Sequence, residues 1–192
     1  MLLLYFVAAG LLVGLAAGGR LSPLARVRVE WWPVALAGLA FQLLLFGPPL
    51  AGIVGDFGPA LYVGSSVVVL GALLRNVRHP GFALIALGAA LNLVVIVANG
   101  GQMPAAPEAF ALLTGTPELP VEHFSNSVLA GAQTRLAFLG DIFVLPRPIP
   151  FANVFSIGDV AIGLGGALFI VRTMRGSGPA VAESGGSATA IG

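Results

Sequence analysis

Long runs of uncharged, apolar residues constrain this chain more than any other feature. Residues 1–19 (MLLLYFVAAGLLVGLAAGG) carry no charged side chain, and a membrane helix needs about 20 mostly apolar residues. Further runs lie at about 33–49, 59–74, 81–98 and 156–171. Of 192 residues, 57% are hydrophobic and 9% charged, with a mean hydropathy of +0.98. Soluble domains carry roughly 25% charged residues, so nine arginines and eight acids are too few to cover a globule of this size. That composition excludes a soluble enzyme, and a net charge of +1 excludes a basic nucleic-acid-binding surface. With no cysteine, thiolate metal sites, disulfides and cysteine nucleophiles are excluded too. The expectation is an all-α, polytopic membrane bundle of five helices, a single domain over 1–175.

Arginine placement orients the bundle. With the N-terminus outside, Arg20, Arg26, Arg28, Arg75, Arg78, Arg172 and Arg175 fall inside, and only Arg135 and Arg147 fall outside. Short cytoplasmic loops collect arginine and lysine, so the expected topology is N-out, C-in. Trp31 and Trp32 read as an interfacial anchor, and Pro33 suits the first turn of the second helix. The first run lacks a positive segment before it, and its basic residues follow it. It is therefore expected to stay as an uncleaved helix rather than act as a signal peptide.

Gly10, Gly14 and Gly18 recur every four residues, a ridge that lets helix backbones approach in lipid. Internal packing is the expected use of this ridge, with dimerisation as the alternative. Gln42, Ser65, Ser66 and Asn92 are the polar residues inside the runs, expected to hydrogen-bond between helices. No charged residue lies in mid-span, which argues against a buried carboxylate relay for proton pumping.

Residues 99–155 are too long for a simple connector and hold seven of the fourteen prolines. They are expected to form an ordered extracytoplasmic cap. Asn99-Gly100-Gly101-Gln102-Met103-Pro104 leaves the fourth helix, with a glycine suited to a left-handed cap. Pro146, Pro148 and Pro150 hold the backbone extended and are expected to deny it a sheet ladder. Residues 124–139 are expected to lie in the interface or to dip into the membrane. From 176 to 192 the chain is mostly Gly, Ser and Ala with one Glu, expected to be a disordered cytoplasmic tail.

The N-G-G-x-M-P exit, the Leu-Gly-Asp141 followed by the proline ladder, and the closing N-V-F-S-I-G-D resemble the domain of unknown function 5317 family of small bacterial integral membrane proteins. The resemblance runs from about Met1 to Arg175. It implies a multi-pass protein of the bacterial plasma membrane, with no established reaction.

Ser156 and Asp159 have the spacing of a capping box at the start of the fifth helix. Asp141 is expected to turn the chain and pair with Arg135 or Arg147, or else to share a site with Asp159 as acid and base. Asn99, Gly100, Gly101, Met103, Arg135, Asn153 and these three residues form the candidate binding set. Asn126 adds to a polar mouth over the outer ends of helices four and five. Free N–H groups at the start of helix five would favour an anionic group there. The two histidines, His79 and His123, fall on opposite sides, so no metal site is expected, and no cofactor.

The leading expectation is a non-enzymatic accessory or ligand-binding protein. Its cap would meet a lipid headgroup, a small solute or a partner membrane subunit in the lipid bilayer. A small transporter or lipid flippase is the first alternative, using Gln42, Ser65, Ser66 and Asn92. An outer-leaflet enzyme using Asp141 and Asp159 is the second.

Overall fold

The computed structural model describes residues 2–47, 53–115 and 126–176. The expected end of the second run at Pro49, the residue His123 and the tail from 177 onward lie outside them. Within these residues the protein is mostly helical. Helices α1 (Leu3–Ala16), α2 (Trp32–Leu45), α3 (Gly58–Arg75), α4 (Phe82–Ala98) and α6 (Ile157–Arg175) form on the five apolar runs. The short α5 (Pro107–Thr114) lies in the segment joining α4 to α6. Proline sits in the first turn of α2, α3 and α5, where its missing N–H leaves no ladder bond unmade.

Two segments, Gly55–Arg75 and Ile157–Arg175, are long and apolar enough to cross a membrane. The others are shorter than their runs: α1 and α2 have 14 residues each and α4 has 17. At about 1.5 Å per residue, a 14-residue helix rises about 21 Å. Gly18 ends the first helical segment early by turning the chain at φ +77°. Helix α6 instead runs past Val171 to Arg175, with Arg172 and Arg175 in the last turn, where cations complement the exposed carbonyls.

The helices pack in the order α1, α6, α4, α3, α2. Contacts between named residues set their directions. Gly81 faces Gly165 and Gly88 faces Gly158, so α4 and α6 are antiparallel. Phe6 meets Gly163 and Gly10 meets Ala167, so α1 runs parallel to α6. The glycine ridge of α1 is thus used inside the molecule, against α6. Gly14 lies against Met174, while Gly18 belongs to the turn, where an added methyl would meet nothing within 4 Å.

At the end of the bundle far from the connecting segment, Asn76 is 2% exposed and locks α2 to α3. Its amide nitrogen donates to the Glu30 and Ala72 carbonyls at 2.7 and 2.8 Å, and its amide oxygen accepts from the Glu30 N–H at 2.8 Å. Arg75 pairs with Glu30 at 3.1 Å and lies over Trp31.

The expectation of an all-α chain is corrected by four short strands. β1 (Met103–Ala105) pairs in parallel with β2 (Ser127–Leu129), and β3 (Phe143–Leu145) pairs antiparallel with β4 (Asn153–Phe155). The proline ladder does not prevent a sheet. It occupies the connection between β3 and β4, where no N–H is needed for pairing, and the ladder bonds form on either side of it. Residues 126–139 form neither an interfacial helix nor a re-entrant one, since they hold β2 and a 3-10 turn at Ala137–Leu139. The backbone of Ser127–Leu129 pairs with β1 instead. The Tyr5 hydroxyl donates to the Pro150 carbonyl at 2.6 Å, tying the β3–β4 connection to the start of α1.

Candidate functional site

Helix α6 begins with the capping box that its sequence spells. The Asp159 N–H donates to the Ser156 hydroxyl at 3.0 Å, and the Ser156 N–H donates to the Asp159 carboxylate at 3.0 Å. Ser156 is fully buried, so its hydroxyl proton needs a partner. Asn92 of α4 supplies one. Its amide oxygen accepts from Ser156 at 2.8 Å, and its amide nitrogen donates to Asp159 at 2.9 Å. Side chains from two helices thereby form one closed polar network at the crossing where Gly88 and Gly158 let the backbones approach.

Asp141 reaches the same place from the connecting segment. Its N–H donates to the Pro104 carbonyl at 2.8 Å, and its carbonyl accepts from the Ala106 N–H at 3.0 Å. Strand β1 therefore has β2 on one edge and Asp141 on the other. Gly140 makes this approach possible, because a side chain there would strike the Pro104 carbonyl. The Leu-Gly-Asp sequence is a docking joint that aims Asp141 inward.

A cavity of about 240 Å³ lies where these parts meet. Its walls include Tyr62 from α3, Asn92 from α4 and Asp159 from α6. Asn126, Ser127, Asp141 and Asn153 close it from the connecting segment, over an apolar floor of Ile96, Met103 and Val154. The Tyr62 hydroxyl and the Asn126 side chain are hydrogen-bonded to each other. The Asp141 carboxyl accepts no hydrogen bond from any described residue. Burial, and then the negative charge of Asp159, push it up to about 7. Asp141 and Asp159 thus share a cavity in unlike surroundings, one bare and the other held by two donors.

Several expectations are corrected here. Asp141 pairs with neither Arg135 nor Arg147, and the one salt bridge among the described residues joins Arg75 to Glu30. Its backbone is fixed by β1 and turns the side chain towards Asp159. At the start of α6 the Asp159 N–H is taken by the Ser156 hydroxyl, and the neighbouring wall carries two carboxyl groups, which would repel an anion. Arg135 does not face the cavity. Its backbone carbonyl and N–H are clamped by the Asn99 amide at 2.8 and 2.9 Å.

Gly100 and Gly101 do take left-handed conformations, at φ +71° and +89°, and Gly101 packs against Pro59. Asn99, Gly100 and Gly101 therefore position the exit from α4 without lining the cavity. Met103, Asn153, Asp141, Asp159 and Asn92 do line it.

Gln42, Ser65 and Ser66 lie elsewhere. The Gln42 amide donates to both serine hydroxyls at 3.1 Å, and both hydroxyls donate to the Tyr62 carbonyl at 2.8 Å. Tyr62 and Ser127 are polar wall residues that sequence reasoning missed. The signal for Tyr62 was a lone polar aromatic one turn inside the start of an apolar run. Among the described residues no group of three or more His, Asp or Glu could hold a metal ion.

No curated protein and no solved structure matches this chain. The family model described as a family of unknown function, DUF5317, matches residues 26–171, most of the chain and every element that lines the cavity. The chain belongs to the DUF5317 family.

Proposed function

We propose that this is a multi-pass protein of the bacterial plasma membrane whose outer cap and helices bind a small polar ligand, without transforming it. The five apolar helices alternate in direction, and α1 and α6 both start on the side of the cap. That arrangement supports five spans, N-out and C-in, with the arginine-rich ends inside. Large apolar side chains such as Leu12, Val13, Leu36, Leu43 and Leu44 stand exposed on α1 and α2, as lipid-facing residues would.

One observation carries the binding role: the cavity of about 240 Å³ at the junction of cap and helices, walled by polar side chains from both. Binding sites are concave and place a few convergent polar groups against an apolar floor. Native mass spectrometry of the full-length protein, extracted gently from its own membrane, tests this reading. A solute or lipid retained by the wild type and lost from Asp141→Ala supports it. A bare wild-type protein overturns it. A partner subunit retained equally by both would move the role from the cavity to the surface.

A second reading, an outer-leaflet enzyme, is favoured by the unlike surroundings of Asp141 and Asp159 in one cavity. Two carboxyl groups in unlike surroundings serve as acid and base elsewhere. Asp159, with its two donors, would be the base and Asp141 the acid. The transporter and flippase reading draws no such support, because Gln42, Ser65 and Ser66 satisfy one another away from the cavity.

A further inference from the structure

We propose that the ligand held in this cavity is a primary ammonium group, bound between Asp141 and Asp159 with an N–H donor left for an Asn153 or Asn126 amide oxygen. The inference rests on the ligand-binding reading and gives it a chemistry. The cavity wall carries two carboxyl groups, and no Lys, Arg or His lines it among the described residues. Asp159 is already anchored by Asn92 and the Ser156 N–H, yet each of its oxygens keeps a lone pair. The Asp141 carboxyl has no donor among the described residues. The site thus has two carboxyl groups and no cationic side chain among the described residues to balance them. A ligand that completes it brings several N–H groups and a positive charge, which an R–NH3+ group does with its three donors.

Other ligand classes fit less well. An anion would meet two carboxyl groups. A hard divalent cation takes about six to eight oxygen ligands, and no cluster of three acidic or histidine side chains stands among the described residues. A quaternary ammonium has the charge but no N–H to offer. Size narrows the choice too. A cavity of about 240 Å³ takes a small amine or the end of a headgroup.

A primary ammonium can come from two sources: the headgroup of phosphatidylethanolamine in the outer leaflet, or a free amine. Thermal unfolding of the full-length protein distinguishes them. One arm titrates ethanolamine hydrochloride against protein in detergent, with choline chloride and calcium chloride as controls. The other compares nanodiscs of phosphatidylethanolamine with nanodiscs of phosphatidylcholine. Ethanolamine raising Tm where choline does not points to a free amine. A rise seen only with phosphatidylethanolamine points to the headgroup. In either case Asp141→Asn weakens the response at least tenfold.

Wild-type protein provides a check that needs no variant. Asp141 faces Asp159 from α6 and Tyr62 from α3, and no other titratable side chain among the described residues lines the cavity. Ammonium affinity therefore falls by up to about tenfold per pH unit below about 7, as Asp141 takes up its proton. No Tm response to either source, or an equal response to choline or to calcium, overturns the ammonium assignment. If a different molecule then appears in native mass spectra and is lost from Asp141→Ala, the ligand-binding reading survives and only its chemistry falls.

Discussion

The Asn92 side chain donates to Asp159 at 2.9 Å and accepts from Ser156 at 2.8 Å, so one amide of α4 satisfies both halves of the capping box that starts α6. The amide is used at both ends, and no other residue type of this size offers a donor and an acceptor in that geometry. The amide joins α4 to the start of α6 at the inner wall of the cavity.

Asn92→Leu removes both bonds and leaves the buried Ser156 hydroxyl without an acceptor. The expected loss is about 1–3 kcal/mol, the cost of an unsatisfied buried polar group. It should appear as a fall in Tm for the purified protein in detergent. Ser156→Ala should cost about 1 kcal/mol through the lost cap alone. The double variant should lose less than the sum, because the two residues share a bond.

Gly88 and Gly158 set how closely α4 and α6 approach. A side chain at Gly88 would meet the Gly158 carbonyl, which cannot move without displacing the helix. Gly88→Val is therefore expected to cost about 1–3 kcal/mol or more and to open the cavity wall. Gly166→Ala is the control. Nothing lies within 4 Å of its added methyl, and alanine gains up to about 1 kcal/mol over glycine in a helix. Limited proteolysis beside thermal unfolding should show the first variant loosened and the second unchanged or firmer.

The chain has no cysteine, so single cysteines report topology without background. Gly131→Cys in the cap should react with a membrane-impermeant maleimide in intact cells. Val77→Cys, exposed at the far end of α3, should react only after permeabilisation. The reverse pattern would overturn the N-out assignment.

Asp141 sits near 7 in the folded protein, against about 3.9 for an ordinary aspartate. Between these values the folded state binds the proton more strongly than the unfolded one. Its contribution to stability is therefore full below about pH 4, declines as pH rises, and is gone above about 7. Asp141→Asn should flatten that slope and stabilise the protein most at neutral pH and above. Asp159→Asn should move the Asp141 transition downward only in part, because burial is the larger cause. Chemical denaturation at pH 4.5, 6 and 8 checks both, with carboxyl infrared bands reporting the Asp141 proton directly.

The five helices were legible because hydrophobic burial, or lipid contact, needs only an unbroken apolar stretch. The Ser156–Asp159 cap was legible because both partners lie within one turn. The strands were harder to read. β1, β2, β3 and β4 each have three residues, too short for an alternating pattern, and β1 contains a proline. Their pairing partners lie beyond local reach, since Met103 aligns with Ser127 across a gap no periodicity bridges.

Sequence alone determined the helices, their caps and the unequal spread of arginine, since each is a property of neighbouring residues. Tertiary structure decided which polar residues share a site. Asp141 and Asp159 are eighteen positions apart with a hairpin between them, and Tyr62 and Asn92 come from other helices. The two carboxyl groups face one cavity because Gly140 lets Asp141 dock on β1 while Asn92 pins the start of α6. Those constraints act through space between elements that fold separately, so they exist only once the cap has closed on the helices.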